Sequence, residues 1–326
     1  MIKSFNKNKR KLIKNTIAIS ALISLSALAN ISNASNWPQD QKSLVGYVEG
    51  WHNDNRGVIQ NALNSGYNVI VFSFANINGE QVSKGSLSEP DNFLTSETQD
   101  IHANSKNKKG LALVSFGGQN NTFKPTPSTD FKKLGENIAA FLEKYNFDGI
   151  DLDLETIPAG ITNDNIITMM NSLRTQYKQD TNKDVIITSA PQIAGGYDNP
   201  SIPVLAPSSI FSKDFLAKAK FDAIFVQEYN QFGGAKFGGK FDTDRGFITA
   251  SFGPLSNYIP ASTKVVPGEP ATPKAGSGLS EPTSIVNDLS SGNLLSNQRF
   301  GGIMTWDINY DANNNWNFGR TVSSVL

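Results

Sequence analysis

The chain has 326 residues, with 29 Lys and Arg against 29 Asp and Glu, so its formal net charge is zero. It contains no cysteine and only two histidines, His52 and His102. These counts exclude a disulfide framework, a thiolate metal site and a cysteine nucleophile. The neutral balance gives no basic footprint for nucleic acid, and neither GxGxxG nor GxxxxGK[ST] occurs. We therefore expect no cofactor, no nucleic-acid partner and no metal site built on cysteine or histidine.

The first segment has the order of a secretory signal peptide. Residues 1–14 carry six basic residues and no acid, and an apolar run, Ile17–Ala29, follows. Small residues then recur at Ala27-x-Ala29 and Ser32-x-Ala34, which predicts cleavage after Ala29 or Ala34. A membrane anchor is the alternative, but the run is shorter than the roughly 20 residues that span a bilayer. We expect a soluble monomer of residues 35–326 with a net charge of about −6, secreted or periplasmic in a bacterium.

Eight short apolar runs, most of them rich in Val, Ile and Phe, alternate with helix-like stretches along residues 35–326. The predicted strands are Leu44–Val48, Val69–Phe74, Leu111–Phe116, Gly149–Leu154, Val185–Ser189, Ala223–Gln227, Thr263–Val266 and Gly301–Trp306. Continuous apolar strands that alternate with helices are typical of a parallel sheet covered by helices. Eight such units at this length favour an α/β fold of the (β/α)8 TIM-barrel type, in a single domain over residues 35–326.

The clearest predicted helix is Asp130–Tyr145, in which apolar residues recur every three or four positions and Asp130 serves as N-cap. For the seventh strand, Gly246–Ser251 is an alternative to Thr263–Val266. The apolar spacing that begins there suits a helix instead, although Gly253-Pro254 would interrupt it. The other predictions are helices at Asn165–Gln179 and Lys213–Lys220 and surface loops at Gln231–Arg245 and Pro267–Pro282.

The fourth predicted strand carries three carboxylates. Asp151, Asp153 and Glu155 alternate with aliphatic residues, and residues two apart in a strand share a face. In a barrel this acidic face points into the interior, where like charges ~5–7 Å apart cannot all stay ionised. The three carboxylates should therefore titrate as a coupled set that holds at least one proton. A protonated acid at the C-terminal end of a barrel strand is what general-acid catalysis needs.

Two other interpretations of this strand stay open on the residues alone. The carboxylates could form a solvated edge, or they could bind a hard cation such as calcium or magnesium. The calcium-loop pattern D-x-[DN]-x-[DN]-G is absent, because Leu154-Glu155-Thr156 stands where a glycine turn would be. Catalysis is the interpretation that the pattern favours.

The run Asp148–Glu155, DGIDLDLE, resembles the DGxDxDxE signature of glycoside hydrolase family 18, the family of chitinases and endo-β-N-acetylglucosaminidases. Other segments are similar to motifs of the same family: Gly46-Tyr47 with Trp51, Ser115-Phe116-Gly117-Gly118, Ala190-Pro191-Gln192, Gln227-Glu228-Tyr229-Asn230, Pro270-Ala271 with Ala275-Gly276-Ser277-Gly278, and Trp306. The resemblance covers about Ser43 to Phe318.

The resemblance implies a mechanism and a role for four residues. Glu155 is the acid that protonates the glycosidic oxygen. No second carboxylate attacks, because this family is an exception to the two-carboxylate rule and uses the substrate's own acetamide oxygen. Asp153 orients the acetamide, Asp151 shares a proton with Asp153, and Tyr229 bonds the acetamide oxygen. The reaction retains the anomeric configuration.

The resemblance also implies residues that bind the sugar and residues that only support the site. Aromatic rings pack on the apolar faces of sugars. The implied substrate-binding residues are Tyr47, Trp51, Phe74, Gly118, Gln192, Gln227, Asn230 and Trp306. The implied structural residues are Ser115, Gly117, Gly149 and Asp148, the last bonded to backbone at the barrel rim.

The expected substrate is chitin or another oligosaccharide that contains N-acetylglucosamine. Only about 35 residues separate Pro267 from Phe300, too few for the small α+β domain that many family members carry there. We therefore expect an open cleft and endo-type cleavage. An endo-β-N-acetylglucosaminidase acting on the chitobiose core of N-glycans is the alternative, and an inactive lectin of the same fold is a third.

Overall fold

The computed structural model describes residues 36–52, 55–104, 108–196, 204–231 and 235–326. Within these ranges, eight strands form one closed parallel barrel: β1 Ser43–Glu49, β2 Val69–Ser73, β3 Leu111–Gly117, β4 Gly149–Asp153, β5 Ile186–Ser189, β6 Ala223–Gln227, β7 Lys264–Pro270 and β8 Gly302–Trp306. Each strand pairs with the next, and β8 pairs with β1. The predicted (β/α)8 TIM barrel is confirmed. The predicted signal peptide lies outside the described residues.

Helices connect the strands and cover the outside of the barrel. They are α1 Asn55–Asn64, α2 Asp91–Asn104, α3 Phe131–Tyr145, α4 Asn163–Thr181, α5 Lys213–Ala219, α6 Phe247–Tyr258, α7 Pro282–Ser291, α8 Ile308–Ala312 and α9 Asn317–Ser323. The predicted cap of α3 is present, because the Asp130 carboxylate accepts hydrogen bonds from the backbone N–H groups of Lys132 and Lys133. None of the described helices has the length and apolar character that a bilayer crossing requires.

The barrel strands are buried on both faces, which explains why they are almost continuously apolar. Ile150 and Leu152 of β4 belong to the core between the strands and the helices. Val45, Leu113 and Phe225 belong to a second core inside the barrel. Burying one such side chain contributes about 1.5–3 kcal/mol. This apolar interior supports the polar residues that lie at the C-terminal end of the strands.

Strand β7 is longer than predicted. It runs to Pro270, so the first residues of the predicted loop Pro267–Pro282 are strand. Gly268 lies opposite Gln227 of β6, and Pro270 lies opposite Trp306 of β8. The prolines fit because their fixed φ is compatible with extended backbone and each removes only one ladder donor. The choice of this segment over Gly246–Ser251 as the seventh strand is confirmed.

Helix α6 is also longer than its sequence suggests, because it continues through Gly253-Pro254. Both residues lie on the exposed face of the helix, where water can satisfy the carbonyl that Pro254 leaves without a donor. In the predicted loop Gln231–Arg245, the strands Ala235–Phe237 and Lys240–Phe241 form an antiparallel hairpin around Gly238-Gly239. A two-glycine turn is a favoured hairpin connection, so this part of the loop is regular structure.

Candidate active site

The three carboxylates of the acidic strand meet at the C-terminal end of the barrel. Asp151 and Asp153 point from β4 into the interior and are 0% and 5% exposed. Glu155 lies two residues beyond the end of the strand and is half-buried. The alternation of apolar and acidic residues therefore places the carboxylates on one face, at the end of the barrel where catalytic groups of this fold are found.

Asp151 is the most firmly held of the three. Its Oδ2 accepts hydrogen bonds from the Tyr47 hydroxyl at 2.8 Å and from Ser115 Oγ at 2.8 Å. Its Oδ1 accepts from Thr188 Oγ1 at 2.8 Å. Burial raises the pKa of Asp151, and the three hydroxyl donors act in the opposite direction. Both oxygens of this carboxylate are therefore occupied, and its orientation is fixed by donors on three other strands, β1, β3 and β5.

Asp153 has one side-chain donor and two acidic neighbours. Gln227 Nε2 donates to Asp153 Oδ1 at 2.9 Å. Burial raises the pKa of Asp153 well above its usual range, and the charges of Glu155 and Asp151 raise it further. Burial also raises the pKa of Glu155. The pair retains a proton more readily than two exposed carboxylates would, which suits one of them to act as an acid near neutral pH.

Tyr229 follows β6 and faces the same carboxylates. It is 5% exposed. Burial raises the pKa of its phenol well above the usual range, and the charges of Asp153 and Glu155 add to this effect. The phenol therefore keeps its proton at neutral pH and can donate a hydrogen bond to a substrate oxygen.

Aromatic rings form one continuous floor beside the acids. Trp306, at the end of β8, lies with its ring centroid 5.8 Å from that of Tyr47 and 6.1 Å from that of Phe74. The Phe74 ring in turn lies against Gly118. The exposed indole of Trp51 is on the loop after β1 and lines the same cavity. Of these rings, those of Trp306, Phe74 and Trp51 line the cavity and offer apolar faces on which a pyranose can stack.

A glycine at the end of β3 lets that strand approach the acidic strand closely. Gly117 has a φ of +124°, and a Cβ at this position would lie 1.9 Å from the backbone oxygen of Asp153. The next amide, of Gly118, donates to that same oxygen at 2.8 Å. At the other end of β4, Gly149 lies opposite Ile186 of β5. The predicted structural glycines therefore set how closely the neighbouring strands pack on β4.

The acids and the aromatic floor enclose a cavity of about 810 Å³. The predicted residues that line it are Trp51, Phe74, Gly118, Asp153, Glu155, Gln192, Gln227, Tyr229, Asn230 and Trp306. Five further residues line it that were not predicted as site residues: Ser86, Gln119, Asn120, Thr122 and Ala275. Three of these directly follow the Gly117-Gly118 end of β3, so the position of the loop was a usable signal. No sequence pattern marks Ser86.

Three of the predicted sugar contacts have their polar groups bound within the protein. Tyr47 is 2% exposed and lies outside the cavity lining, so its prediction as a sugar contact is corrected: its hydroxyl holds Asp151. Gln227 lines the cavity, but its amide nitrogen donates to Asp153 and to the Ala190 carbonyl at 2.8 Å. Asn230 Oδ1 accepts from Ser277 N at 2.8 Å.

Asp148 lies at the opposite end of β4, away from the cavity. Its Oδ2 accepts from the backbone N–H of Ala112 at 2.8 Å and lies 2.7 Å from His102 Nε2. The predicted bond to backbone at the barrel rim is therefore present. Across the described ranges, no three His, Cys, Asp or Glu side chains are grouped so that they could hold a metal ion.

A closed (β/α)8 barrel with acids, a tyrosine and an aromatic floor in one C-terminal cavity has the architecture of a glycoside hydrolase. Residues 43–265 match glycosyl hydrolases family 18, and the chain belongs to this family. The predicted family membership is therefore confirmed.

Relatives and solved structures agree with this assignment. The chain is 25% identical over 343 residues to Chitinase Chi52 of Paenibacillus xylanexedens, covering 91% of this chain and 64% of that protein. It is 28% identical over 319 residues to Endochitinase 37 of Trichoderma harzianum, covering 85% and 88%. The crystal structure of a family GH18 chitinase from Chromobacterium violaceum matches with a TM-score of 0.68 at 20% identity, covering 90% of this chain and 85% of that one. That likeness shows the shared fold.

Proposed function

We propose that this chain is a chitinase, an endo-glycosidase that hydrolyses β-1,4 bonds between N-acetylglucosamine units of chitin and chitooligosaccharides. The observation that carries the proposal is the meeting of Asp153, Glu155 and Tyr229 in one cavity beside the Trp306 ring. Family membership and the names of the relatives support the same substrate class. No partner other than the saccharide is required.

In the first step Glu155 donates its proton to the glycosidic oxygen as that bond breaks. The substrate's acetamide oxygen attacks the anomeric carbon from the other face and forms a cyclic oxazolinium. Asp153 accepts a hydrogen bond from the acetamide N–H and stabilises the positive charge of the oxazolinium. The Tyr229 hydroxyl donates a hydrogen bond to the acetamide oxygen. The raised pKa of Glu155 suits its role as the acid.

In the second step the Glu155 carboxylate takes a proton from water, and the oxygen of that water attacks the anomeric carbon. The oxazolinium opens, the acetamide is restored, and the product keeps the original anomeric configuration. Asp151 acts on the reaction indirectly, through Asp153, because its charge raises the pKa of Asp153. It thereby tunes when Asp153 holds a proton.

We further propose that residues 1–34 are a cleaved export signal and that residues 35–326 form a single secreted or periplasmic domain that acts as a monomer. The basic start, the apolar run and the small-residue sites support the export signal. Sequencing the N-terminus of the exported protein tests it. A first residue at 30 or 35 is expected, and an intact Met1 on the exported protein would contradict it.

A product assay tests the proposed function directly. Chitin oligosaccharides and a high-mannose glycoprotein are incubated in parallel with the wild-type protein and with Glu155→Gln. We expect shorter N-acetylglucosamine oligomers from the wild type and none from the variant. Release of the glycan with intact chitin oligomers would identify an endo-β-N-acetylglucosaminidase. Binding of either substrate without turnover would identify a lectin.

The nature of the nucleophile has its own test. Fully deacetylated chitosan oligomers lack the acetamide oxygen that attacks the anomeric carbon, so we expect no cleavage of them. Fully acetylated oligomers of the same length serve as the matched substrate. Comparable cleavage of both sets would contradict a substrate-assisted mechanism.

A further inference from the structure

Two glutamates lie side by side behind the tyrosine of the site. Glu228 follows β6 and Glu269 lies in β7, and both are fully buried. Gln227 lies opposite Gly268 in the parallel register, and Glu228 N donates to the Gly268 carbonyl at 2.9 Å. Because successive side chains alternate between faces, Glu228 and Glu269 point away from the barrel interior on adjacent strands. Glu228 reaches α6, where Ser251 Oγ donates to its Oε1 at 2.7 Å.

In each glutamate, one carboxylate oxygen accepts a hydrogen bond and the other has no donor within the described residues. Glu269 Oε2 accepts from the backbone N–H of Leu279 at 3.0 Å. Within the described part of the chain, the other two oxygens, Glu228 Oε2 and Glu269 Oε1, have no hydrogen-bond donor. Two acceptors that are both buried and both without a donor need a proton that the heavy-atom positions do not show.

Within the described ranges, the charges that shift the pKa values of the pair are all acidic. Burial raises the pKa of both glutamates well above their usual range, and the charge of Glu228 raises the pKa of Glu269 further. The charge of Asp288 of α7 raises the pKa of both glutamates, and the charge of Asp242 raises the pKa of Glu269. The charge of Glu269 in turn raises the pKa of the Tyr229 phenol. One proton held between the free oxygens satisfies both and leaves a single negative charge.

A short segment connects the pair to Tyr229. Residues 275–279 follow β7 and lie between Glu269 and the tyrosine. Ser277 is held by Asn230 in two bonds, Ser277 N to Asn230 Oδ1 at 2.8 Å and Asn230 N to Ser277 O at 2.6 Å. A Cβ on Gly278 would lie 2.7 Å from Tyr229 Cβ and 2.9 Å from Glu269 Oε2. The segment therefore packs on both side chains at once.

We propose that Glu228 and Glu269 share one proton as a carboxyl–carboxylate pair, and that this pair positions Tyr229 by holding residues 275–279 against it. The glutamates touch neither substrate nor reacting atoms, so they are positioning residues. This inference rests on the proposed function, which assigns Tyr229 to the acetamide oxygen. Loss of the shared proton leaves two facing charges and loosens the segment that supports the tyrosine.

The first experiment is a double-mutant cycle measured as kcat on a chitin oligosaccharide. Glu269→Ala removes the acceptor for Leu279 and half of the pair, and we expect kcat to fall about 10- to 100-fold. Glu269→Gln keeps an acceptor for Leu279 and donates an amide N–H to Glu228, so we expect it to stay within about 3-fold of wild type. In a Tyr229→Phe background we expect Glu269→Ala to cost less than about 3-fold, because the group that it positions is gone.

Equal losses from Glu269→Ala in the two backgrounds would overturn the proposal, and so would a Glu269→Gln variant as impaired as Glu269→Ala. Circular dichroism and the Tm establish that each variant is folded at the assay temperature. If Glu269→Ala does not fold, the pH experiment below, which uses the Gln variants of both glutamates, tests the proposal instead. If Glu155→Gln and Tyr229→Phe both leave kcat unchanged, the proposed function fails instead, so the two failures are distinguishable.

The second experiment follows pH. A carboxyl whose pKa is raised in the folded protein binds more protons folded than unfolded, so its contribution to stability falls as pH rises from about 4.3 to the raised value. We expect Glu228→Gln and Glu269→Gln each to flatten the decline of Tm between pH 5 and 9 and to keep more of kcat at the alkaline end. Wild-type dependence of both quantities in either variant would overturn the shared proton.

Glu97 of α2 provides a matched control. It is buried, neither of its carboxylate oxygens has a donor in the described residues, and burial raises its pKa to about 8. Glu97→Gln should flatten the decline of Tm with pH but leave the pH profile of kcat as in wild type. A change of the kcat profile equal to that of Glu269→Gln would show a general effect of stability and contradict the assignment to Tyr229.

Discussion

The two ends of the barrel use the same kinds of side chain for different purposes. At the N-terminal end, the residue just before each of β2, β4 and β6 accepts a hydrogen bond from the strand that precedes it. Asp148 accepts from Ala112 N at 2.8 Å, Asp222 from Ile187 N at 2.8 Å and Asn68 from Leu44 N at 2.9 Å. In each case the donor is the second residue of the preceding strand.

At the C-terminal end, the carboxylates of the site bind side chains. Asp151 accepts from three hydroxyls and Asp153 from the Gln227 amide. Burial raises the pKa of both. The surroundings of each side chain determine its role. An acceptor just before a strand satisfies a backbone N–H group of the preceding strand. A buried carboxylate at the C-terminal end of the barrel has a raised pKa, which suits it to proton transfer. Variants at the two ends should therefore separate activity from stability.

The largest expected effect is at the C-terminal end. Glu155→Gln keeps the shape of the side chain but has no proton to donate, and general acid–base catalysis contributes about 10²- to 10⁴-fold. We expect kcat on chitin oligosaccharides to fall by that factor while the Tm stays within a few degrees of wild type. A variant that retains wild-type turnover would contradict the role of Glu155.

Asp153→Asn should follow. The amide cannot carry the negative charge that stabilises the oxazolinium, and it misplaces the acetamide, so we expect kcat to fall by about 10- to 10³-fold. Removal of a carboxylate that is costly to bury should leave the Tm equal or higher. Kinetics and calorimetry on one preparation measure both effects. A large loss of Tm with little loss of kcat would show that Asp153 contributes to stability and not to catalysis.

Asp148→Ala is the corresponding change at the N-terminal end. It leaves the Ala112 amide without its acceptor, which should lower the free energy of unfolding by about 1–3 kcal/mol. We expect kcat to stay within about 3-fold of wild type below the Tm. Asp148→Asn is the control, because Asn68 shows that an amide oxygen can accept such a bond. Asp148→Asn should lower the free energy of unfolding, measured with urea, by less than Asp148→Ala does. A larger loss in Asp148→Asn would contradict this account.

The smallest expected effect concerns pH. Burial and the charge of Glu49 raise the pKa of Asp307 to about 8. Its usual value is about 3.9, so its contribution to stability declines as pH rises from about 4 to about 8. Asp307→Asn should keep the hydrogen bond from Tyr310 N that caps α8. It should also reduce the change of Tm between pH 4 and pH 8 by a few degrees. An unchanged slope of Tm against pH would contradict it.

The sequence predicted those features that depend on local patterns. The bounds of β6 and the Asp130 cap of α3 agree with the structure, and the period of two along β4 placed the acids on one face. Contacts between distant segments were not predictable in this way. Tyr47 and Asp151 are 104 positions apart, and Gln227 and Asp153 are 74 apart, so no spacing rule links them.

Local rules also failed at two proline positions, for a physical reason. Pro254 was expected to interrupt a helix and Pro267 to begin a loop, yet α6 and β7 continue through them. A proline penalty is decided by what the lost donor would have bonded and by the room for the ring. Those surroundings belong to the tertiary structure, which a single sequence does not display.

The close contact at Gly117 has a consequence for how this protein can vary. The position has no side chain, yet a Cβ there would lie 1.9 Å from the backbone oxygen of Asp153. In a library of all single substitutions selected for activity, position 117 should be as depleted as position 155. Substitutions that disturb the spacing of two strands would thus be tolerated as poorly as substitutions of the acid itself. A residue without a functional group limits the paths by which the site can evolve.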